Sequence, residues 1–260
     1  MFDVAAESYD RFMGRYSQLL AGPFADFAGV TAGAAVLDVG CGPGALTQVL
    51  LERGASVAAV DPSESFVAAA RERYPDADVR RASAEELPFA DGSFDVAVAQ
   101  LVVNFMSDPV GGIRELARVT RPGGTIAASV WDLAGGRSPM SVVWSVLHEL
   151  VGATGEGDLP GASAGSLRRI FEAAGLADVE EGEVTAAREH ASFEEWWEPF
   201  THGVGPVGQA LAALDAGQRD AVVAEVRARL GEPPIRIAAV AWAARSRVES
   251  PVRWGSFRAA

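Results

Sequence analysis

The chain contains no lysine, because all 22 of its basic residues are arginine. Neither a Schiff-base lysine nor a lysine that binds nucleotide phosphates is available, which excludes pyridoxal phosphate enzymes and Walker-type nucleotide sites. Cys41 is the only cysteine. A single cysteine excludes an intrachain disulfide and a cysteine-rich zinc site, and we predict no metal centre.

Long apolar runs and an excess of basic charge are also missing. No stretch approaches the roughly 18 apolar residues of a membrane helix, and Asp3 and Glu7 stand where a secretory signal would be basic and then apolar. We therefore expect a cytoplasmic protein without membrane contact. The net charge of −13 disfavours nucleic acid as a partner, because binding to a phosphate backbone depends on basic patches.

Short apolar runs alternate with helical patterns between residues 34 and 131. Five such runs indicate strands, and the helical stretches between them cover about 43–53, 63–73 and 108–119. This alternation is typical of a parallel, doubly wound sheet. Two more strands are predicted over 178–187 and 235–245. The predicted fold is therefore α/β, a doubly wound, mostly parallel seven-stranded sheet of the Rossmann-like kind.

Helical segments flank this core. Residues 5–28 predict two short helices that are separated at Gly22-Pro23. Residues 192–231 predict helices in at least two pieces, inserted as a cap before the last strand. We interpret residues 1–260 as one domain, in which 1–30 form a helical lid and 34–131 form the cofactor-binding core.

A glycine-rich loop follows the first predicted strand. Gly40, Gly42 and Gly44 allow a sharp turn from strand to helix, and ligands of such sheets bind at the carboxyl ends of the strands. Asp61 ends the second strand, where a carboxylate can accept hydrogen bonds from both hydroxyls of a ribose. The alternative role for Asp61 is a helix N-cap.

The loop sequence GCGPGA also satisfies the dinucleotide-binding fingerprint. However, we expect Asp38, at the end of the first strand, to repel a pyrophosphate. S-adenosylmethionine, which combines an adenosine with a sulfonium and an ammonium group, suits this loop better. A nicotinamide-dependent oxidoreductase and a non-catalytic S-adenosylmethionine-binding protein remain the alternatives.

Four segments in order along residues 34–131 resemble class I S-adenosylmethionine-dependent methyltransferases of the ubiquinone/menaquinone-methyltransferase-like group. The segments are VLDVGCGPG, VAAVDPSESFVAAARER, RRASAEELPFADGSFDVAVAQ and ELARVTRPGGTIAASVW. The N-terminal YDRFMGRYS resembles the helix that closes over the cofactor in these enzymes. The resemblance implies direct displacement of the sulfonium methyl by an O, N or C atom of a small-molecule acceptor, with S-adenosylhomocysteine as product.

The resemblance also implies a set of cofactor-binding positions. These are Tyr9, Tyr16, Gly40, Cys41, Gly42, Asp61, Pro62, Phe66, Ser83, Ala84, Glu85 and Gln100. The glycine loop, Cys41 included, would meet the methionine moiety through its backbone, and Asp61 would bind the ribose. Pro62 and Phe66 would cover the adenine, with the segment 83–85 at its edge and the carbonyl of Gln100 on the α-ammonium. Ser83 departs from the family, since many relatives carry aspartate there.

The acceptor site is predicted from the distribution of aromatic residues. Only Ala5–Phe27 and Phe193–Leu230 carry enough of them to exclude water from the sulfonium, so we expect these segments to meet over the site. The predicted acceptor wall consists of Tyr16, Trp197 and Phe200, and His202 is the candidate base if the nucleophile is a hydroxyl. The stretch QLVV after the fourth strand differs from the Asn/Asp-Pro-Pro-Tyr/Phe sequence of enzymes that methylate amino groups of nucleic acids.

Overall fold

The strands of the central sheet are arranged in the order β3-β2-β1-β4-β5-β7-β6 in the computed structural model, which describes residues 6–249. The strands are β1 (Ala35–Val39), β2 (Ser56–Asp61), β3 (Asp78–Arg81), β4 (Phe94–Gln100), β5 (Thr120–Trp131), β6 (Glu180–His190) and β7 (Ile235–Arg247). The neighbouring strands β3-β2-β1-β4-β5 pair in parallel, whereas β7 is antiparallel to both β5 and β6. The predicted mostly parallel, seven-stranded fold is confirmed.

Helices cover both faces of this sheet. They are α1 (Ala6–Tyr9), α2 (Arg15–Ala28), α3 (Ala45–Glu52), α4 (Glu64–Arg73), α5 (Pro109–Val119), α6 (Ser141–Val151), α7 (Ser166–Ala173), α8 (Phe193–Trp197), α9 (Gly205–Ala212) and α10 (Ala216–Leu230). A π-helical turn joins α1 to α2, and 3₁₀ turns cover Val103–Phe105 and Glu198–His202. The core on one face includes α2, α3, α6 and α10, and the core on the other includes α5 and α7. Because both faces are covered, the central strands are nearly continuously apolar.

Two local predictions were wrong. Helix α2 continues through Pro23, because buried side chains on both sides of the proline keep the helix packed against the core and override its low helix propensity. Arg53 also donates a hydrogen bond of 2.8 Å to the carbonyl of Gly22. The sequence Arg121-Pro122-Gly123-Gly124 predicts a turn before the fifth strand, but these residues lie within β5, where the register against β4 shifts. An irregularity of this kind absorbs extra residues without ending a strand.

The segment that carries α8, α9 and α10 lies between β6 and β7, as predicted. Its action as a cap stays a prediction. Positions 1–5 of the predicted lid and 250–260 of the predicted single domain lie outside the described residues. Within residues 6–249, no helix combines the length and apolar character that crossing a bilayer requires.

Arg15 connects the N-terminal helices to this inserted segment. Its buried guanidinium donates to the carbonyls of Phe12 (3.1 Å), Glu195 (3.3 Å) and Trp196 (2.9 Å). The ring of Phe12 also packs edge-on against Phe200, with centroids 5.1 Å apart. The two aromatic segments therefore contact each other, and their closure over the site stays a prediction.

Asp38 lies at the end of β1 beneath the glycine loop. Its side chain is buried and accepts a hydrogen bond of 2.7 Å from the Thr47 hydroxyl on α3. Burial raises the pKa of Asp38 to about 7, and the Thr47 bond only partly opposes this shift. The folded protein thus holds a proton on Asp38 over a pH range in which the unfolded chain has released it.

We expect Arg15→Met to lower the free energy of unfolding by about 2 to 4 kcal/mol, because three carbonyls lose a charge-assisted donor. Urea unfolding measures the change. Arg11→Met, at an exposed position of the same segment, serves as the matched control. Equal stability of the two variants would show that Arg15 does not hold the segments together.

We expect the stability advantage of Asp38→Asn over the wild type to grow by about 2 to 3 kcal/mol between pH 5 and pH 8. The stability contributed by protonated Asp38 is present at low pH and is lost as the pH rises towards its folded-state pKa. Asparagine cannot lose a proton and can still accept the Thr47 hydrogen bond. Urea unfolding at both pH values tests this, with the exposed Asp91→Asn as control. A constant difference across this range would contradict the shift.

Candidate functional site

A cavity of about 370 Å³ opens at the carboxyl ends of β1, β2 and β4, within the size range of small-molecule sites. We call it the larger cavity. Its lining comprises Tyr9, Gly40, Gly42, Asp61, Pro62, Ser63, Phe66, Ser83, Ala84, Glu85, Gln100, Leu101, Val102, Phe105, Met106 and Ser107. Ten of the twelve predicted cofactor positions thus lie in one wall. Tyr16 and Cys41 do not.

The glycines of the loop are needed for close packing against neighbouring side chains as well as for access of a ligand to the backbone. Gly40 has φ +70°, and a Cβ there would approach the Val102 side chain to 2.3 Å. Gly44 has φ +103°, and a Cβ there would approach the Tyr74 ring to 2.2 Å. Only Gly42, with φ +54°, has open space around the position of a Cβ. Among these three, only Gly42 therefore leaves space beside the backbone for a ligand, whereas the absence of a Cβ at Gly40 and Gly44 allows close packing.

Asp61 fixes the conformation of this loop. One carboxylate oxygen accepts the backbone N–H of Gly42 at 2.9 Å, and the other accepts that of Ser63 at 2.8 Å. Burial raises the pKa of Asp61, although these two bonds oppose the shift. The N-cap alternative for Asp61 is wrong, because the Ser63 hydroxyl accepts the Phe66 N–H at the start of α4.

Cys41 faces away from the larger cavity. Its buried side chain belongs to a small apolar cluster with Ala59, Val67, Ala70 and Val79. Burial raises the pKa of the thiol well above its ordinary value, so the thiol stays protonated and is a poor nucleophile. The side chain therefore has no role as a nucleophile, and the implied backbone contact of Cys41 with the cofactor stays a prediction.

The segment after β3 borders the same cavity. Ser83 and Ala84 line the wall directly. One carboxylate oxygen of Glu85 accepts from the backbone N–H groups of Ser107 (2.8 Å) and Asp108 (3.3 Å) and from the Ser107 hydroxyl. Glu85 therefore holds the loop before α5 in place, and this oxygen is already engaged.

The end of β4 contributes two features that the sequence analysis missed. Leu101 adopts φ +61°, a left-handed conformation that is uncommon for a residue of this type and is found at functional sites. The side-chain oxygen Oε1 of Gln100 is buried without a hydrogen-bond partner, while its Nε2 donates to the Ser17 carbonyl at 3.1 Å. The Gln100 side chain therefore joins the end of β4 to α2, and its implied main-chain contact with the α-ammonium stays a prediction.

The wall of the larger cavity contains two carboxylates, Asp61 and Glu85, and no arginine. Asp38 lies behind it, lines neither described cavity and interacts electrostatically with Asp61, so its repulsion of a pyrophosphate stays a prediction. The two carboxylates that line the wall would add to this repulsion. A cavity of this charge disfavours a pyrophosphate and favours hydrogen-bond donors and cations.

A second cavity, the smaller cavity, lies next to the first. It is lined by Tyr9, Phe12, Met13, Leu101, Asn104, Phe105, Trp131, Leu133, Met140, Glu156, Gly205, Pro206 and Val207. Tyr9, Leu101 and Phe105 line both cavities. The N-terminal helices and α9 of the inserted segment both contribute to its wall. The position of Tyr9 is held by its ring contact with Phe66, with centroids 5.2 Å apart.

The predicted acceptor wall is not the wall that the structure forms. Tyr16 and Phe200 are buried, and neither they nor Trp197 line the two cavities. The Tyr16 hydroxyl forms a hydrogen bond of 3.0 Å with Nε2 of His190, and Phe200 stacks on Trp197 with centroids 5.5 Å apart. These side chains join the inserted segment to the core, so their aromatic character serves packing.

His202 also lies away from the cavities. Its side chain is 40% exposed, and Nε2 lies 2.6 Å from a carboxylate oxygen of Glu198, one turn earlier in the same segment. A base must come within hydrogen-bond reach of the proton that it removes. The prediction of His202 as a base is therefore not supported by this geometry.

The smaller cavity is lined by other residues than the predicted acceptor wall, and one sequence rule could have identified some of them. Asn104 and Phe105 follow the carboxyl end of β4, and Trp131 is the last residue of β5, so the rule that places ligands at strand ends could have identified them. Glu156 has no such signal, because it lies in a loop after α6. Its carboxylate accepts from the Trp144 indole at 3.0 Å, and burial raises its pKa.

The core of the chain matches a known family. The model of a methyltransferase domain matches residues 37–128, which run from β1 to β5 and include the glycine loop and Asp61. The family predicted from the four sequence segments is confirmed.

Two named relatives carry similar sequences. A demethylmenaquinone methyltransferase from Beutenbergia cavernae is 35% identical over 133 residues, which are 50% of this chain and 55% of that protein. A malonyl-[acyl-carrier protein] O-methyltransferase from Erwinia billingiae is 34% identical over 146 residues, 56% of this chain and 57% of that protein. The chain therefore spans little more than half the length of these relatives.

A solved structure supports the fold. The YcgJ protein from Bacillus subtilis superposes with a TM-score of 0.59 at 19% identity, over 89% of this chain and 99% of that one. This similarity shows the fold, and the match over residues 37–128 together with the two relatives identifies the core of the chain as a methyltransferase domain.

Proposed function

We propose that this chain binds S-adenosylmethionine in the larger cavity and transfers its methyl group to a small-molecule acceptor. One observation carries the proposal. Ten positions that the sequence assigns to the cofactor line a single cavity at the carboxyl ends of β1, β2 and β4, which is where sheets of this class bind their ligands.

The chemistry of the wall supports this cofactor. The Asp61 carboxylate has lone pairs left after accepting from Gly42 and Ser63, and these would accept the ribose hydroxyls. The apolar side chains of Pro62 and Phe66 would cover the adenine. The main-chain carbonyl of Gln100 would accept from the α-ammonium.

When bound, S-adenosylmethionine supplies a methyl group that is activated by the sulfonium charge. The remaining work of the protein is to orient the acceptor and exclude water. Tyr9, Leu101 and Phe105 lie in the walls of both cavities, so they would border the contact between cofactor and acceptor. The smaller cavity is therefore the proposed acceptor compartment.

Binding of nicotinamide dinucleotides tests the main alternative. We expect titration calorimetry to show binding of S-adenosylmethionine and S-adenosylhomocysteine, and at least about 100-fold weaker binding of NAD and NADP, because the wall offers carboxylates and no cation to a pyrophosphate. Tighter binding of either dinucleotide would overturn the proposal. Release of S-adenosylhomocysteine with an acceptor panel then distinguishes an enzyme from a protein that only binds the cofactor.

We expect Asp61→Ala to weaken S-adenosylmethionine binding by about 2 to 4 kcal/mol, a factor of about 30 to 1,000, because two charge-assisted hydrogen bonds to the ribose are lost. Calorimetry measures the change, and circular dichroism checks that the variant is folded. Asp61→Asn keeps one acceptor oxygen and should lose about tenfold. The matched control is Asp91→Ala, whose carboxylate is 80% exposed. Unchanged affinity in folded Asp61→Ala would refute the ribose assignment.

A further inference from the structure

One residue in the wall of both cavities has a backbone conformation that is rare for its type. Leu101 directly follows β4 and adopts φ +61°, a left-handed conformation in which a Cβ lies too close to the following carbonyl oxygen. Such a residue keeps its conformation only when the surrounding structure holds it. Its role at the site rests on the proposed function, because it concerns the alkyl group that the bound cofactor carries on its sulfur.

Two contacts hold this turn. The backbone N–H of Leu101 donates a hydrogen bond of 2.8 Å to the carbonyl of Ser129 on β5. The next residue, Val102, packs against the glycine loop so closely that a Cβ on Gly40 would approach its side chain to 2.3 Å. The backbone around Leu101 is therefore fixed by contacts with both the sheet and the glycine loop.

Leu101 is the most constrained of the three residues that line both cavities. Phe105 lies at the protein surface and is 51% exposed, and Tyr9 belongs to the short helix α1. In contrast, Leu101 is only 9% exposed and belongs to the same apolar core as Leu20 of α2. The buried part of the wall at the border between the cavities is therefore the Leu101 side chain.

The covalent structure of the cofactor relates this border to the sulfonium. The sulfur carries three carbon substituents, which are the adenosyl group, the methionine chain and the methyl group. In the proposed binding mode, Asp61 would hold the ribose and the carbonyl of Gln100 would hold the α-ammonium. These contacts direct two of the three substituents, and the methyl group would point away from both. Leu101 follows Gln100 in the chain and borders both cavities, so its side chain would face the methyl group.

We propose that Leu101 sets the size of the alkyl group that the cofactor can carry on its sulfur. A methyl group fits against this side chain, whereas one more methylene forces the wall to move. The contacts that hold the turn oppose this movement, and the shift of a closely packed wall costs free energy. Leu101 is thus a specificity-determining residue for the transferred group and takes no part in the chemistry itself.

S-adenosylethionine tests this proposal, because it differs from S-adenosylmethionine by one methylene on the sulfur. Titration calorimetry compares the two compounds and needs no acceptor. We expect the wild type to bind S-adenosylethionine at least about tenfold more weakly than S-adenosylmethionine. In Leu101→Ala, we expect the two affinities to lie within about threefold of each other. Equal binding of the two compounds by the wild type would overturn the proposal, and so would unchanged discrimination in folded Leu101→Ala.

Val103→Ala is the matched control. Val103 lies in the same segment, is completely buried and lines neither cavity. Its truncation also removes apolar volume from this segment, but not from the proposed wall. We expect Val103→Ala to keep the discrimination of about tenfold. If it loses the discrimination as fully as Leu101→Ala does, the effect comes from general loosening of the segment and the assignment to Leu101 is wrong.

Leu101→Gly separates the side chain from the backbone, and it also serves if Leu101→Ala does not fold. Glycine adopts φ +61° without the steric cost of a Cβ. We expect Leu101→Gly to melt about 2 to 4 °C above Leu101→Ala and to bind both cofactors within about threefold of each other. A melting temperature at or below that of Leu101→Ala would refute the constraint on the turn. Full discrimination in Leu101→Gly would show that the side chain is not the wall.

Failure of this proposal is distinguishable from failure of the proposed function. S-adenosylhomocysteine carries no alkyl group at this position, so its binding to the wild type reports on the larger cavity alone. If S-adenosylhomocysteine binds and the wild type does not discriminate between the two sulfonium compounds, the assignment of Leu101 is wrong and the cofactor assignment stands. If neither S-adenosylhomocysteine nor S-adenosylmethionine binds, the proposed function is wrong, and with it the role of Leu101.

Discussion

The conformation of the site depends on one buried carboxylate. Asp61 ends β2 and holds the glycine loop through Gly42 and the start of α4 through Ser63. These contacts are possible because β1 and β2 are parallel neighbours, with Val39 paired to Val60, so the two loops leave the sheet side by side. Without a carboxylate at this position, two backbone N–H groups would need other partners. The cavity wall is thus preorganised by the residue that is proposed to bind the ribose.

The walls of the two cavities contain no cationic side chain among the described residues, and this absence disfavours anionic ligands. A chain with no lysine and 22 arginines could still have placed an arginine at the strand ends, but none lines the two cavities. The carboxylates of Asp61, Glu85 and Glu156 lie there instead. Glu156 is partly buried with a raised pKa, whereas one oxygen of Glu85 is engaged by the loop before α5. The same lack of countercharge that disfavours pyrophosphate in one cavity disfavours anionic acceptors in the other.

The sequence predicted those parts of the structure that depend on local patterns. Strand runs, the glycine loop and the spacing to Asp61 are local, and all lie where they were expected. Tyr16 and Phe200 were misassigned because an aromatic residue at helical spacing suits a cavity wall and a core equally well. Their partners, His190 and Phe12, are distant in the sequence. Only the folded chain shows that these contacts use the rings for packing.

The sequence also does not predict an unusual backbone conformation at a residue that seldom adopts it. Leucine rarely adopts a positive φ, so no residue preference identifies Leu101 as a left-handed turn at the end of β4. The turn redirects the chain into the segment that carries Asn104 and Phe105, and it thereby brings both cavities against one side chain. In contrast, Gly40 and Gly44 have the residue type that their conformations require.

The inserted segment leaves and re-enters the sheet at paired positions, since His190 lies opposite Ile235 in the β6–β7 register. Residues paired in this way are about 5 Å apart at their Cα atoms, so the two strands already hold the ends of the segment together. The segment's length and composition can therefore change at little entropic cost to the sheet. It contributes Gly205, Pro206 and Val207 to the smaller cavity and nothing to the larger one. A change confined to this segment can therefore alter part of the wall of the smaller cavity while the residues that line the larger cavity stay the same.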